Sequence, residues 1–245
     1  MDDSVNLAYF SDPSVVLDYA RAAVNVGLWA SEKALFEKYL SKNATILELG
    51  CGAGRVAFGL AKLGYSDLFA TDFAPPMIEI AREINARERA AIRFDIADAT
   101  ALTFPESNFD AVIFAFNGLQ MIPKRERRTR ALKEIFRVLK PGGIFIFTGH
   151  DRSAPARQAH WERERERWKT QARDPALDDF GDWNHATPAG TMFIHSAEPQ
   201  EMRETLERIG FRVLFSEMRS RICAENSEVL DFSDDTRFWV CRKAD

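Results

Sequence analysis

Glu48-Leu49-Gly50-Cys51-Gly52-Ala53-Gly54-Arg55 follows the apolar run that begins at Thr45 and leads into a stretch with helical periodicity. Three glycines spaced two apart permit a tight turn with positive φ, and they let a ligand approach the main chain without meeting a Cβ. A dinucleotide-binding turn would place glycine at 50, 52 and 55. Here residue 55 is arginine and the third glycine falls at 54, which sets this turn apart from that fingerprint.

Outward from this turn, residues 45 to 148 alternate short apolar runs with amphipathic stretches, the pattern of β-α-β units in a parallel sheet covered by helices. Strands are predicted at Thr45 to Leu49, Leu68 to Thr71, Ala91 to Ile96, Ala111 to Phe116 and Ile144 to Thr148, with helices at Arg55 to Leu63, Pro76 to Arg87 and Arg128 to Leu139. Pro141-Gly142-Gly143 is read as the break between the last helix and its strand. Upstream, Asp12-Pro13 marks a helix start, Gly27 a division, and Ser31 a cap for a helix reaching Leu40. Downstream, residues 151–194 are less regular, a helix spans about Pro199 to Ile209 before Gly210, and Phe211 to Phe215 and Phe238 to Cys241 form an antiparallel strand pair at the sheet edge.

Further motifs follow the glycine turn in order. Asp72 ends the second strand, where a carboxylate can accept both hydroxyls of a ribose. Asp95-Ile96-Ala97-Asp98-Ala99 follows the third strand, Phe109-Asp110-Ala111-Val112-Ile113-Phe114 carries the fourth, and Leu139-Lys140-Pro141-Gly142-Gly143 leads into the fifth. Together these resemble the class I S-adenosylmethionine-dependent methyltransferases over roughly residues 44 to 150. The resemblance implies a Rossmann-like, doubly wound, mostly parallel seven-stranded sheet with helices on both faces, its last strand antiparallel. It implies S-adenosylmethionine as cofactor and S-adenosylhomocysteine as product. Glu48, Gly50, Gly52 and Gly54 would lie beneath the amino-acid portion and Asp72 on the ribose. Asp98 would accept from the adenine amine, the Ala99 N–H would meet a ring nitrogen, and Phe73, Met77 and Phe116 would add apolar surface. Asp110 is read as structural.

The whole chain, residues 1–245, is expected to be one methyltransferase domain. Its parts are an N-terminal helical cover (1–43), the cofactor core (44–150), a lid or substrate-binding insertion (151–194) and a C-terminal helix and strands (195–245). At 46% apolar and 29% charged it can bury a core, and no apolar run reaches the roughly 20 residues of a bilayer span. The balance of 33 Lys+Arg against 37 Asp+Glu argues against a polyanionic partner such as nucleic acid. The mixed runs Lys124 to Arg130 and Glu162 to Arg167 are read as solvated helix faces. Cys51, Cys223 and Cys241 lie too far apart for a CxxC pair, so no disulfide framework or metal site is expected. The acidic Met1-Asp2-Asp3-Ser4 start lacks the pattern of a secretory signal, and a cytoplasmic location is expected.

Ligands of open α/β sheets bind beyond the carboxyl ends of the strands, which selects Asn117 and His150 for the acceptor side. Asn117 could orient an acceptor or turn the chain. His150 is the candidate base, since imidazole titrates near neutrality, though a strand-end packing role is equally compatible. Tyr9, Tyr19, Trp29 and Trp183 are further candidates for contacting the acceptor, while Trp161 and Trp168, seven apart, fit one buried helix face. The Asp-Pro-Pro-Tyr and Asn-Pro-Pro-Tyr sequences of nucleobase and glutamine methyltransferases are absent after the fourth strand. The expected reaction is methyl transfer to nitrogen or oxygen of a small aromatic or heteroaromatic metabolite. Carbon methylation of a quinone-like or polyketide-like acceptor, and a noncatalytic S-adenosylmethionine-binding regulator, stand as alternatives.

Overall fold

In the computed structural model, residues 4–244 are described; Met1 to Asp3, within the acidic start, lie outside them. Seven strands form one sheet: β1 (Thr45–Leu49), β2 (Asp67–Asp72), β3 (Arg93–Ile96), β4 (Phe109–Phe114), β5 (Leu139–Gly149), β8 (Phe211–Met218) and β9 (Arg237–Lys243). Their order is β3-β2-β1-β4-β5-β9-β8, and β9 runs antiparallel between β5 and β8. A separate hairpin pairs β6 (Asp182–Thr187) with β7 (Gly190–His195).

Alternation along the strands divides the core into two faces, because successive side chains of a strand point to opposite sides. Ile46, Ala111, Ile113, Ile144 and Ile146 pack on one side with α4 (Arg55–Lys62) and α5 (Pro75–Glu88). Leu47, Val112, Phe114, Phe145 and Phe147 pack on the other with α6 (Arg125–Val138) and α8 (Pro199–Ile209). The Asp110 carboxylate accepts from the Thr45 N–H at 2.9 Å and from Lys140 Nζ at 2.8 Å, tying three strands at their bottom end.

Three helices precede the sheet: α1 (Ser4–Phe10), α2 (Pro13–Asn25) and α3 (Ala30–Tyr39). Asp12 caps α2, accepting from the Ser14 N–H at 2.8 Å. The expected cap at Ser31 is corrected. The cap position is Trp29, whose N–H donates to the Glu32 carboxylate at 2.9 Å, while Ser31 is fully buried inside the first turn. Two expected boundaries also move. β5 begins at Leu139, ahead of the Pro-Gly-Gly break, because Leu139 pairs with Phe109 before a register shift. β4 ends at Phe114, two residues early, because Phe116 and Asn117 turn into the left-handed region.

Within 151–194, α7 (Gln158–Lys169) presents Trp161 and Trp168 to Phe180, each edge-on at 5.9 Å; they share a face as the seven-residue spacing implied, but only Trp161 is buried and Trp168 is partly exposed. Arg125 and Arg128 of the first charged run pair with Asp179, with Arg128 buried rather than on the expected solvated face, and Arg167 of the second pairs with Glu164. Between β8 and β9 an arm carries α9 (Arg219–Ile222) and α10 (Ser227–Phe232). Glu225 in this arm accepts from the Ala30 and Ser31 N–H groups, both at 2.9 Å, so a carboxylate sits on the donor-rich start of α3. Among the described residues no helix is long and apolar enough to cross a membrane.

Candidate functional site

The carboxyl ends of β1, β2, β3 and β4 open into a cavity of about 360 Å³, roofed by α1 and α2. Gly50 (φ +61°) and Gly52 (φ +53°) form its floor. A Cβ on Gly50 would lie 2.7 Å from the Phe114 ring and one on Gly52 2.8 Å from Tyr19, so side chains are excluded by both conformation and space. Gly54 has a different place. It starts α4 at φ +91° against Phe58 and Phe94 and does not line the cavity.

Asp72 ties two turns together. Its Oδ2 accepts from the Gly52 N–H at 2.8 Å and its Oδ1 from the Ala74 N–H at 2.9 Å, while burial pushes its pKa up against these donors. Toward β3, Asp98 accepts from the Thr100 N–H at 2.7 Å and its hydroxyl at 2.9 Å, and the Arg127 guanidinium lies 3.4 Å from Oδ2. Ile96, Ala97, Ala99 and Ile122 give this end its apolar walls, and Ile96 is half exposed. The far end is bounded by Glu48, Arg55, Tyr19, Phe116 and Phe232. Phe116 stacks on Phe232 with centroids 4.9 Å apart, and Tyr19 meets the two edge-on at 6.0 and 6.4 Å.

Of the residues expected around a cofactor, Glu48, Gly50, Gly52, Asp72, Phe73, Asp98, Ala99 and Phe116 line this cavity. Met77 does not. It is fully buried among Phe10, Val15 and Ala74, filling the space beneath the roof. Of the residues expected on the acceptor, Tyr19 lines the cavity, while Tyr9, Trp29, Asn117, His150 and Trp183 are not part of its wall. Tyr9 meets the edge of Phe10, and Trp29 is a fully buried core residue with the Arg55 guanidinium 4.6 Å above its ring.

Asn117 and His150 do come together, behind Phe116. Phe116 and Asn117 both have positive φ, +50° and +65°, a conformation costing roughly 1–3 kcal/mol per non-glycine residue. It aims Phe116 into the cavity and turns Asn117 inward, where its N–H donates to Thr148 Oγ1 at 3.0 Å and its Nδ2 lies 3.4 Å from His150 Nε2. Burial, reinforced by Arg157, lowers the His150 pKa to about 4, so the ring is neutral at pH 7. Trp183, edge-on to His150 at 6.3 Å, is held by its Nε1 donating to Ser196 Oγ at 3.1 Å.

Phe232, Arg55, Asn6 and Leu7 also line the cavity, although sequence reasoning did not single them out. For Phe232 the available signal was Asn226, which caps α10 by accepting from the Val229 N–H at 3.0 Å ahead of an apolar stretch.

An S-adenosylmethionine cofactor fits this cavity on three counts: a glycine floor that a Cβ would fill, a carboxylate at the end of β2, and a buried acceptor, Glu48 Oε2, that has no hydrogen-bond partner. Residues 46–143 match the family described as Methyltransferase domain. Demethylmenaquinone methyltransferase of Thermus thermophilus is 42% identical over 102 residues, 41% of this chain and 44% of that protein. A 2-methyl-6-phytyl-1,4-hydroquinone methyltransferase of Synechocystis is 28% identical over 66% of this chain and 49% of its own length. The chain thus spans less than half the length of these curated relatives. Among solved structures, a SAM-dependent methyltransferase of Methanosarcina mazei superposes with TM-score 0.69 at 22% identity, covering 89% of this chain and 99% of that one. The 1,6-didemethyltoxoflavin-N1-methyltransferase of Burkholderia thailandensis, with S-adenosylhomocysteine and its substrate bound, gives 0.61 at 19% identity, covering 92% of this chain and 80% of that one. Residues 46–143 thus match a methyltransferase domain, and the glycine turn, strand-end acid and sheet order are similar to those of S-adenosylmethionine-dependent methyltransferases.

Proposed function

We propose that the protein transfers a methyl group from S-adenosylmethionine to nitrogen or oxygen of a small aromatic acceptor. The observation that carries this reading is the aromatic end of the cavity, where Tyr19, Phe116 and Phe232 enclose space continuous with the glycine floor. Aromatic walls suit a flat, apolar ligand and exclude water from the reacting centre.

In this reading the floor at Gly50 and Gly52 and the Glu48 side chain hold the amino-acid portion of the cofactor, Asp72 the ribose, and Asp98 with Ala99 the adenine. When bound, the cofactor supplies an already activated sulfonium methyl. The protein's main task is then alignment, which can contribute roughly 7–11 kcal/mol when reactants are held as near-attack partners. The wall offers little general-base help. Burial raises the Tyr19 pKa, and His150 stands behind Phe116 with its pKa lowered. The acceptor therefore presents a free lone pair or arrives deprotonated, with Asn117 and His150 bracing the turn that aims Phe116. Three free cysteines, two of them buried, suit a reducing cytoplasm.

The relatives named for demethylmenaquinone and a phytyl-hydroquinone favour a second reading, carbon methylation of a quinol. Mass spectrometry with methyl-deuterated S-adenosylmethionine and a panel of phenols, N-heteroaromatics and quinols separates the two. Labelled O- or N-methyl products are expected. Ring-methylated quinols alone would transfer the assignment to the second reading, and cofactor binding with no labelled product across the panel would favour a regulator.

A further inference from the structure

Glu48 is a cavity acid whose charge has no free counterpart among the described residues. It is 3% exposed, and its Oε2 has no hydrogen-bond partner. The charged and titratable groups around it are Arg55 from α4, Glu32 from α3, Asp72 from β2, Cys51 from the glycine turn and Tyr19 from α2. Arg55 is the cation of this group, and its guanidinium is already engaged. It gives Glu32 two hydrogen bonds of 2.6 Å and the Gly27 carbonyl one of 2.8 Å. Arg55 thus gives its hydrogen bonds to Glu32 and Gly27 rather than to Glu48, which stands near the carboxylates of Glu32 and Asp72.

Burial disfavours the ionised form of this carboxylate more than Arg55 and the Ala57 N–H favour it, so the group takes up a proton instead. Burial accordingly moves the Glu48 pKa up to about 8, outweighing the opposing pull of Arg55. Cys51 and Tyr19 both have pKa values raised further by burial, so neither changes charge between pH 6 and 8.

We propose that Glu48 is protonated in the ligand-free protein at neutral pH and releases that proton when the cofactor's ammonium group is placed against it, so that cofactor binding expels one proton. The carboxyl O–H bond breaks, the proton passes to buffer, and the carboxylate left behind pairs with the ligand cation. The inference rests on the reading of this cavity as the S-adenosylmethionine site.

Calorimetric titration with S-adenosylhomocysteine at pH 7, in buffers of low and high ionisation enthalpy, tests it without any turnover. The apparent binding enthalpy should differ between buffers by close to one proton per site. 5′-Methylthioadenosine, which lacks the amino-acid end, should show no such difference, and neither should Glu48→Gln with S-adenosylhomocysteine. Between pH 6 and 7 the wild-type Kd should fall by up to about tenfold and that of Glu48→Gln should stay level. Equal enthalpies in both buffers for the wild type would overturn the proposal, as would undiminished release from Glu48→Gln. Absence of any S-adenosylhomocysteine binding would instead overturn the assignment of the cavity, and the proposal with it.

Discussion

Asn6 and Phe193 are joined by a reciprocal pair of hydrogen bonds. The Phe193 N–H donates to Asn6 Oδ1 at 2.8 Å and Asn6 Nδ2 donates to the Phe193 carbonyl at 3.1 Å, with a further bond of 2.6 Å to the Met121 carbonyl. One buried side chain thereby fastens α1, part of the cavity roof, both to the β6–β7 hairpin and to the 3₁₀ turn Gly118–Met121.

Asn6→Ala should therefore loosen roof and hairpin together. It strands buried main-chain groups on β7, at a cost of about 1–3 kcal/mol each, most of it felt locally. Hydrogen exchange in residues 4–10 and 190–195 should quicken, and S-adenosylhomocysteine should dissociate faster, with the sheet unaffected. Acceleration of the hairpin alone would show that α1 is held by other contacts.

The stacked Phe116–Phe232 pair predicts a split between the two ligands. Aromatic pairs contribute about 0.5–1.5 kcal/mol beyond area burial, so Phe232→Ala should raise the acceptor KM roughly 2–10-fold and leave cofactor affinity within about twofold. A loss confined to cofactor binding would place Phe232 at the wrong end of the cavity.

His150 supplies a test of alignment against base catalysis. With a pKa near 4 and no place in the cavity wall, it should tolerate replacement by glutamine with less than about tenfold loss in single-turnover rate and no change in the pH profile. A fall of roughly 10²–10⁴-fold accompanied by loss of a pH limb would establish it as the base.

Glu48 also links stability to pH. Its folded pKa, about 8, lies above its ordinary value of 4.5, so the native state holds the proton more tightly than the unfolded chain. That contribution is complete below about pH 4.5 and is lost as pH rises through 8. The Tm of Glu48→Gln relative to wild type should rise progressively from pH 5 to 8.5, and a constant difference across that range would contradict the burial argument.

Elements bounded by local chemistry were legible in the sequence. β1 ends where Gly50 takes positive φ, and α8 runs from Pro199 to the left-handed Gly210, both as expected. The β6–β7 hairpin was not, because its support is remote: Asn6 from α1, and Asp182 paired with His195 at 2.7 Å while Arg128 of α6 stands 3.6 Å from Asp182. For the site, the glycine turn and Asp72 act through their own main chain and could be read directly. Phe232 reaches the cavity only because Glu225 and Arg219 anchor its arm, Arg219 lying over the ring of Trp29 and donating to the Ser233 carbonyl at 3.0 Å. Strand-end position alone placed His150 near the ligand edge, and the paired left-handed turn at Phe116 and Asn117 interposed a wall.

The most direct test of the account is calorimetric titration of S-adenosylhomocysteine into the wild type and Asp72→Ala, with circular dichroism to verify that both are folded. Loss of a hydrogen bond to a charged group costs about 1.5–3 kcal/mol, so the variant should bind at least about tenfold more weakly, and NAD should bind neither protein. Unchanged affinity in a folded Asp72→Ala protein, or NAD binding as tight as that of S-adenosylhomocysteine, would contradict the claim that this cavity is an S-adenosylmethionine site.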